Sequence, residues 1–182
     1  MSKKALIFIA NGTEETEAIT TIDLLKRANF SVKIAGDNEI VTCSRGVKII
    51  PNILIESLSE EDEFDVIILP GGGNGVMNLG NNDIVRNIIK SNYIKEVLIA
   101  AICAAPSILI DLKIINENTP YTGFPSLKAE YPNHNYLEEK VVYNDNIITS
   151  QALGTSIPFA LKIIEVLMNK EASDMIAEEI VY

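Results

Sequence analysis

Continuous apolar runs alternate with amphipathic stretches along the chain, and this alternation predicts the order of its secondary structure. The runs at residues 4–10 and 65–69 each contain a single charged residue, at the first position. A strand covered on both faces of a sheet has this pattern, whereas a half-exposed strand alternates between apolar and polar residues. The sequence therefore predicts strands near residues 4–10, 31–36, 65–69, 97–102, 119–122 and 147–150.

The segments between these strands show helical periodicity. After the first strand, Ile19, Ile22 and Leu25 recur at three-residue spacing, which predicts one apolar helix face. The sequence predicts helices near residues 15–29, 74–79, 83–92, 104–111, 155–169 and 171–179. Strands that alternate with helices indicate a three-layer α/β fold with a mostly parallel sheet.

One segment departs from this alternation. Residues 40–43 and 47–55 are rich in β-branched residues, and Arg45 and Gly46 favour a turn between them. We expect this segment to form a hairpin or edge strands.

Composition and charge narrow the class of protein. At 182 residues, 47% hydrophobic and 22% charged, the chain is expected to be one globular domain spanning residues 1–182. A net charge of −10 argues against nucleic acid or an anionic membrane surface as a partner. No run reaches transmembrane length, and the short apolar stretch after Lys4 does not resemble a secretory signal. Two cysteines without a disulfide framework favour a cytoplasmic location.

A single thiol follows the apolar run at residues 97–102. Cys103 precedes two alanines and Pro106, a pattern that predicts a strand, a sharp turn and a helix. Backbone N–H groups and the helix dipole at such a turn favour the thiolate, so we expect a thiol pKa below its ordinary value of about 8.5. The alternative is that Cys103 is a buried small apolar residue, as many free cysteines are.

Three glutamates follow the first strand. At 100° per residue on a helix, Glu14 and Glu17 share a face and Glu15 points elsewhere. The turns after parallel strands open on one crevice, so a carboxyl from this turn is expected to share a proton with Cys103. The alternative is that all three acids are solvated and complement the helix dipole.

Six motifs in order give the chain a family resemblance. They are ALIFIA followed by GTEETE at residues 5–17, DLLKRA at 23–28, CSRG at 43–46, DVIILPGG at 65–72, AAICAAP at 100–106 and TSQALGTS at 149–156. The chain resembles the ThiJ/PfpI superfamily, in the branch that contains the parkinsonism-associated protein deglycase and bacterial YajL. The resemblance implies a flavodoxin-like sandwich, a homodimer, Cys103 as nucleophile and a protonated Glu17 hydrogen-bonded to it.

The resemblance also implies roles for other residues. The backbone N–H groups of Gly72 and Ala104 are expected to stabilise an oxyanion beside Cys103. A tight turn is the alternative role for Gly72. The residues expected in the pocket or at its mouth are Arg27, Arg45, Phe124, Gly154 and Thr155, the two arginines lying at the dimer boundary.

Several other chemistries are disfavoured. Ala104 stands where the protease-like branch of the family has a histidine, and Phe124 stands where some relatives place a pocket histidine. The only histidine, His134, lies in a polar loop and is expected to be solvated. One histidine and two separated cysteines are a poor ligand set for a soft metal, so no metal site is expected.

The remaining chemistry needs no cofactor. A thiolate adds to an aldehyde to give a hemithioacetal, and Glu17 acts as acid and base on the adjacent carbon. These steps convert methylglyoxal into a hydroxy acid, and the resemblance implies both glyoxalase activity and deglycase activity on early methylglyoxal adducts. The first alternative is a Cys103-based oxidative-stress sensor or redox-regulated chaperone, in which Glu17 binds a sulfinate. A second is a relative that kept the fold and lost a specific activity.

Overall fold

A parallel sheet forms the centre of the molecule in the computed structural model, which describes residues 2–182. The strands are β1 (Lys4–Ile9), β2 (Ser31–Gly36), β3 (Val41–Thr42), β4 (Lys48–Ile49), β5 (Ile53–Leu54), β6 (Val66–Leu69), β7 (Leu98–Ile102), β8 (Val141–Asn144) and β9 (Ile147–Ser150). The helices are α1 (Glu15–Arg27), α2 (Gly73–Gly80), α3 (Asp83–Ile94), α4 (Pro106–Asp111), α5 (Leu127–Glu130), α6 (Ser156–Leu167) and α7 (Lys170–Glu179), with short 3-10 turns at Ile55–Ser57 and Leu153–Thr155.

Seven of the strands form one sheet in the order β5-β2-β1-β6-β7-β9-β8. All neighbours in it are parallel except β8, which runs antiparallel to β9. Alternate residues of β1 enter different cores, with Leu6 and Phe8 on one face of the sheet and Ile7 and Ile9 on the other. Both faces of the sheet are therefore covered, and the predicted flavodoxin-like three-layer α/β fold is confirmed.

The expected hairpin at residues 40–43 and 47–55 is present in part. Strands β3 and β4 pair antiparallel as a separate hairpin, whereas β5 joins the edge of the main sheet beside β2. The backbone N–H of Gly12 donates to the Thr42 carbonyl at 2.8 Å, and that of Ser44 donates to the Thr13 carbonyl at 2.8 Å. These bonds hold the hairpin against the turn that follows β1.

One predicted strand is absent, and one observed strand was not predicted. The strand expected near 119–122 is absent from the described residues, and only an isolated bridge joins Tyr121 to Tyr136. Pro120 and Gly123 flank this segment, and both residues disfavour a regular strand. The strand β8 was not predicted, because it is only four residues long, is partly exposed and lacks a continuous apolar run.

The central strands place the candidate site. Strands β1, β6 and β7 are neighbours and parallel, so the turns after all three lie at one edge of the sheet. The turns after β6 and β7 carry Gly71, Gly72 and Cys103, and the turn after β1 leads into α1, which carries Glu17 in its first turn. Within residues 2–182, no helix combines the length and the apolar character that crossing a membrane requires.

Candidate active site

Cys103 lies on a strained turn directly after β7. Its φ of 65° is in the left-handed region, which is uncommon for a residue with a side chain. The backbone on both sides is fixed, because the Cys103 N–H donates to the Ser150 carbonyl at 3.0 Å and the Cys103 carbonyl accepts from the Phe124 N–H at 2.6 Å. The helix α4 begins at Pro106, two residues later than predicted. This conformation directs a partly exposed thiol away from the sheet.

Glu17 is the buried acid of the site. It lies in the first turn of α1 and is only 1% exposed. The Gly71 N–H donates to the Glu17 Oε2 at 2.7 Å, whereas the Oε1 has no hydrogen-bond partner within residues 2–182. The carboxyl therefore has one oxygen held by the protein and one available for proton transfer.

Glycines after β6 allow the acid and the thiol to approach each other. A Cβ on Gly71 would overlap the Cys103 Cβ and come within 2.6 Å of the Glu17 Oε2. Gly72 has a φ of 90°, a conformation that favours glycine. The backbone N–H groups of Gly72 and Ala104 lie near the Cys103 sulfur, where they lower the pKa of its thiol. Sequence reasoning assigned the donor role to Gly72 but missed Gly71, whose only signal was its place in a run of three glycines.

Burial is the largest influence on the pKa values of both Glu17 and Cys103. It raises the pKa of Glu17 to about 7, although hydrogen bonds from Gly71 and Cys103 lower it. Burial, followed by the charge of Glu17 and the hydrogen bond to it, raises the pKa of Cys103 to about 12, against the N–H groups of Gly72 and Ala104. The expectation of a lowered thiol pKa is therefore wrong, because desolvation beside an acid outweighs two backbone N–H groups.

The two acids are best described as a pair. The pair loses its first proton near pH 7 and keeps the second into alkaline solution, so it holds a single negative charge across that range. A thiol beside ionised Glu17 and a thiolate beside protonated Glu17 are the two placements of the remaining proton. Glu17 can therefore accept the thiol proton at the moment when the sulfur attacks.

We expect Glu17→Gln to remove a pH dependence of folding stability. Folding raises the pKa of Glu17 from 4.5 to about 7, so the folded state binds this proton more tightly than the unfolded state. The resulting stabilisation is complete below the unfolded pKa and is lost as the pH rises through the folded pKa, by roughly 3 kcal/mol at about 1.4 kcal/mol per pH unit. Urea unfolding of both proteins at pH values spanning this window measures the effect. Identical pH profiles would contradict the assignment.

The neighbouring glutamates have structural contacts. The Ser44 hydroxyl lies 2.8 Å from the Glu14 Oε2 and 2.9 Å from the Glu15 Oε2, and the Arg45 N–H donates to the Glu15 Oε1 at 2.9 Å. Burial alone would raise the pKa of Glu15, but hydrogen bonds from its own N–H, Ser44 and Arg45 lower the pKa overall. Glu15 is thus buried rather than solvated, and its hydrogen bonds with Ser44 and Arg45 connect the β3–β4 turn to α1.

A pocket of about 860 Å³ opens around Cys103. Of the residues predicted for the site, Glu17, Gly72, Ala104, Arg45 and Phe124 line it together with the thiol. The sequence analysis gave no pocket role to the other lining side chains, because Glu14, Ser44 and Leu153 carry no pocket signal within their motifs and the remaining ones lie outside the motifs. They include Glu14, Ser44, Asn74, Met77, Ser126, Leu127, Glu130 and Leu153.

Three predicted pocket residues do not line it in this chain. Arg27 lies at the far end of α1, where its guanidinium pairs with Asp23 at 2.8 Å and Glu179 at 2.6 Å. Thr155 is buried, and its hydroxyl lies 2.7 Å from the Ser150 hydroxyl. Gly154 is exposed next to Leu153.

The only histidine of the sequence lies outside the pocket. The His134 ring packs edge-on against Tyr121 and Tyr131, with ring centroids 6.5 Å and 5.7 Å apart. It is half-buried, so the expectation of a solvated loop histidine is wrong. In residues 2–182, no group of three or more His, Cys, Asp or Glu side chains is arranged to hold a metal ion.

Comparison with known proteins identifies the family. The pattern of the DJ-1/PfpI family matches residues 3–166. The chain is 41% identical over 182 residues to protein dj-1beta of Drosophila melanogaster, covering 98% of this chain and 96% of that protein. It is 34% identical over 174 residues to a Caenorhabditis elegans protein named glutathione-independent glyoxalase DJR-1.2, covering 94% of this chain and 92% of the relative.

A solved structure agrees with these sequence matches. The oxidised form of Toxoplasma gondii DJ-1 superposes with a TM-score of 0.95 at 34% identity, covering 100% of this chain and 99% of the other. The resemblance inferred from the six motifs is thereby confirmed. The chain belongs to the DJ-1/PfpI family.

Proposed function

We propose that this protein is a cofactor-independent glyoxalase that uses Cys103 to convert 2-oxoaldehydes such as methylglyoxal into 2-hydroxy acids. The observation that carries the proposal is one pocket in which a thiol, a carboxyl oxygen without a partner among residues 2–182, and two sulfur-facing N–H groups meet. The relative named glutathione-independent glyoxalase supports it, at 34% identity.

The first step is addition of the sulfur to the aldehyde carbon. As the carbon–sulfur bond forms, the thiol proton passes to the ionised Glu17, so no isolated thiolate is required. The aldehyde oxygen becomes an oxyanion, which the N–H groups of Gly72 and Ala104 stabilise until Glu17 returns the proton. The product is a hemithioacetal on Cys103, and Glu17 is again ionised.

The second step moves hydrogen between carbons. Glu17 removes the proton from the former aldehyde carbon, giving an enediolate, and delivers it to the former ketone carbon. The hydroxyl proton likewise moves from the oxygen on the former aldehyde carbon to the oxygen on the former ketone carbon. The result is a thioester of the 2-hydroxy acid, which water hydrolyses to release the acid and regenerate the thiol.

Early methylglyoxal adducts fit the same chemistry. An adduct on an amine or a thiol carries the same ketone beside a hydroxyl-bearing carbon. Displacement of the amine or thiol by the Cys103 sulfur gives the same hemithioacetal and restores the modified group. We therefore include deglycase activity in the proposal.

A second candidate is a peroxide sensor or redox-regulated chaperone. A partly exposed thiol beside a buried carboxyl is suited to a stable sulfinate, because protonated Glu17 can donate a hydrogen bond to it. The structural relative from Toxoplasma gondii was solved in an oxidised form, and this supports a redox role as the second candidate.

One experiment separates the two candidates. The protein, either reduced or titrated to the Cys103 sulfinate under mass-spectrometric control, is assayed for lactate from methylglyoxal and for suppression of client aggregation. The enzyme proposal predicts lactate formation only in the reduced sample, because a sulfinate cannot attack a carbonyl. Chaperone activity that appears only after oxidation, with negligible lactate before it, would favour the sensor.

A further inference from the structure

Three large apolar side chains are exposed around the mouth of the pocket. Met77 in α2, Phe124 in the loop before α5 and Leu153 after β9 all line the pocket, with exposed fractions of 56%, 45% and 48%. We call these three side chains the apolar rim. Covering them would remove apolar surface from water, which favours a ligand with an apolar group at this position.

The apolar rim is joined to the reacting groups through the backbone. The Phe124 N–H donates to the Cys103 carbonyl at 2.6 Å. The backbone N–H of Leu153 lies near the Glu17 carboxyl and lowers its pKa. Phe124 and Leu153 therefore line the same pocket as the thiol and the acid, within reach of a substrate bound to the Cys103 sulfur.

The charges around the pocket favour an uncharged substituent. Among the described residues that line it, Arg45 is the only cationic side chain, whereas Glu14, Glu17 and Glu130 are acidic. A carboxylate on the substrate would meet this excess of negative charge. An uncharged apolar group is not repelled by these carboxylates.

The size of the pocket favours a substituent larger than methyl. Its volume of about 860 Å³ lies in the range of pockets that hold drug-sized ligands, roughly 300–1,000 Å³. The single methyl group of methylglyoxal would leave most of the apolar rim in water.

We propose that the preferred substrates are 2-oxoaldehydes with a bulky, uncharged apolar substituent, such as an aryl group, and that Met77, Phe124 and Leu153 determine this preference. The inference rests on the proposed glyoxalase activity and specifies the substrate class of that site. Phe124 presents an exposed phenyl ring to the pocket, against which an aryl substituent packs.

The test compares two substrates on each protein preparation. Mandelate from phenylglyoxal and lactate from methylglyoxal give a ratio of kcat/KM values that does not depend on the fraction of folded protein. We expect Phe124→Ala and Met77→Ala each to lower this ratio, by about tenfold where an apolar contact is lost. The intrinsic reactivities of the two aldehydes cancel when variants are compared.

Matched controls are available on the same chain. Tyr143 and Met175 are 50% and 64% exposed and do not line the pocket. Tyr143→Ala and Met175→Ala should leave the ratio at its wild-type value. A phenylglyoxal that carries a ring carboxylate should be converted less efficiently than phenylglyoxal itself.

The outcomes separate the two proposals. Lactate formation that depends on Cys103, with a ratio unchanged in both rim variants, would overturn the substrate preference and leave the glyoxalase proposal intact. Failure of both aldehydes to give a hydroxy acid would overturn both proposals. A drop in the ratio in the rim variants alone supports the preference.

Discussion

Cys103→Ser is expected to reduce methylglyoxal turnover by on the order of 10³-fold or more, since the covalent intermediate cannot form. A serine hydroxyl is a much weaker acid than a thiol. Glu17, whose pKa is raised by burial to about 7, is too weak a base to ionise it. Lactate formation per folded protein, measured without added thiol, gives the comparison with the wild type.

Cys43→Ser is the matched control for this prediction. Cys43 is 4% exposed and does not line the pocket. Burial, followed by the charges of Glu15 and Glu14, raises the pKa of its thiol to about 11. The variant should keep wild-type turnover per folded protein. If Cys43→Ser lost turnover while Cys103→Ser retained it, the nucleophile would be misassigned.

Glu17→Gln is expected to lower turnover by about 10²- to 10⁴-fold, the usual contribution of a positioned general base. The amide retains an oxygen for the Gly71 N–H but cannot accept the thiol proton or move hydrogen between the two carbons. The wild-type rate should rise with pH through the first pKa of the pair, near 7. This rise should be absent from the residual activity of the variant.

Glu15→Gln tests whether any buried acid in this turn has the same effect. Glu15 is also buried, but it bonds to Ser44 and Arg45 and does not line the pocket. We expect this variant to lose stability and to keep the rise of rate with pH. If Glu17→Gln instead kept wild-type turnover, the general base would have to be a group other than Glu17.

The sequence carries strong local signals for the fold and for the nucleophile. The strands β1, β6 and β7 are continuous apolar runs, and the predicted ranges agree with the observed ones to within one residue. The small residues and the proline after Cys103 indicate a sharp turn because only a few residue types fit such a backbone. The segment at residues 119–122 lacks such a signal, and its strand prediction failed.

The pKa values of the site residues could not be predicted from local sequence signals. The acidity of Cys103 depends on how deeply the folded chain buries the thiol and the Glu17 carboxyl, and burial is set by residues far apart in sequence. The placement of Arg27 also depends on a distant residue, since α7 supplies the Glu179 that binds it. The homodimer that the family resemblance implies stays a prediction.

The most direct test of the Cys103–Glu17 mechanism is the isotopic composition of lactate made from methylglyoxal in deuterium oxide. The proposed thioester hydrolysis brings water into the pocket that Glu17 lines, so the proton that this buried carboxyl carries between the carbons exchanges with solvent. The mechanism predicts lactate with deuterium on the hydroxyl-bearing carbon, formed by the wild type and not by Cys103→Ser. Lactate that retains the original aldehyde hydrogen at that carbon in every molecule would indicate a direct hydride shift and would contradict the mechanism.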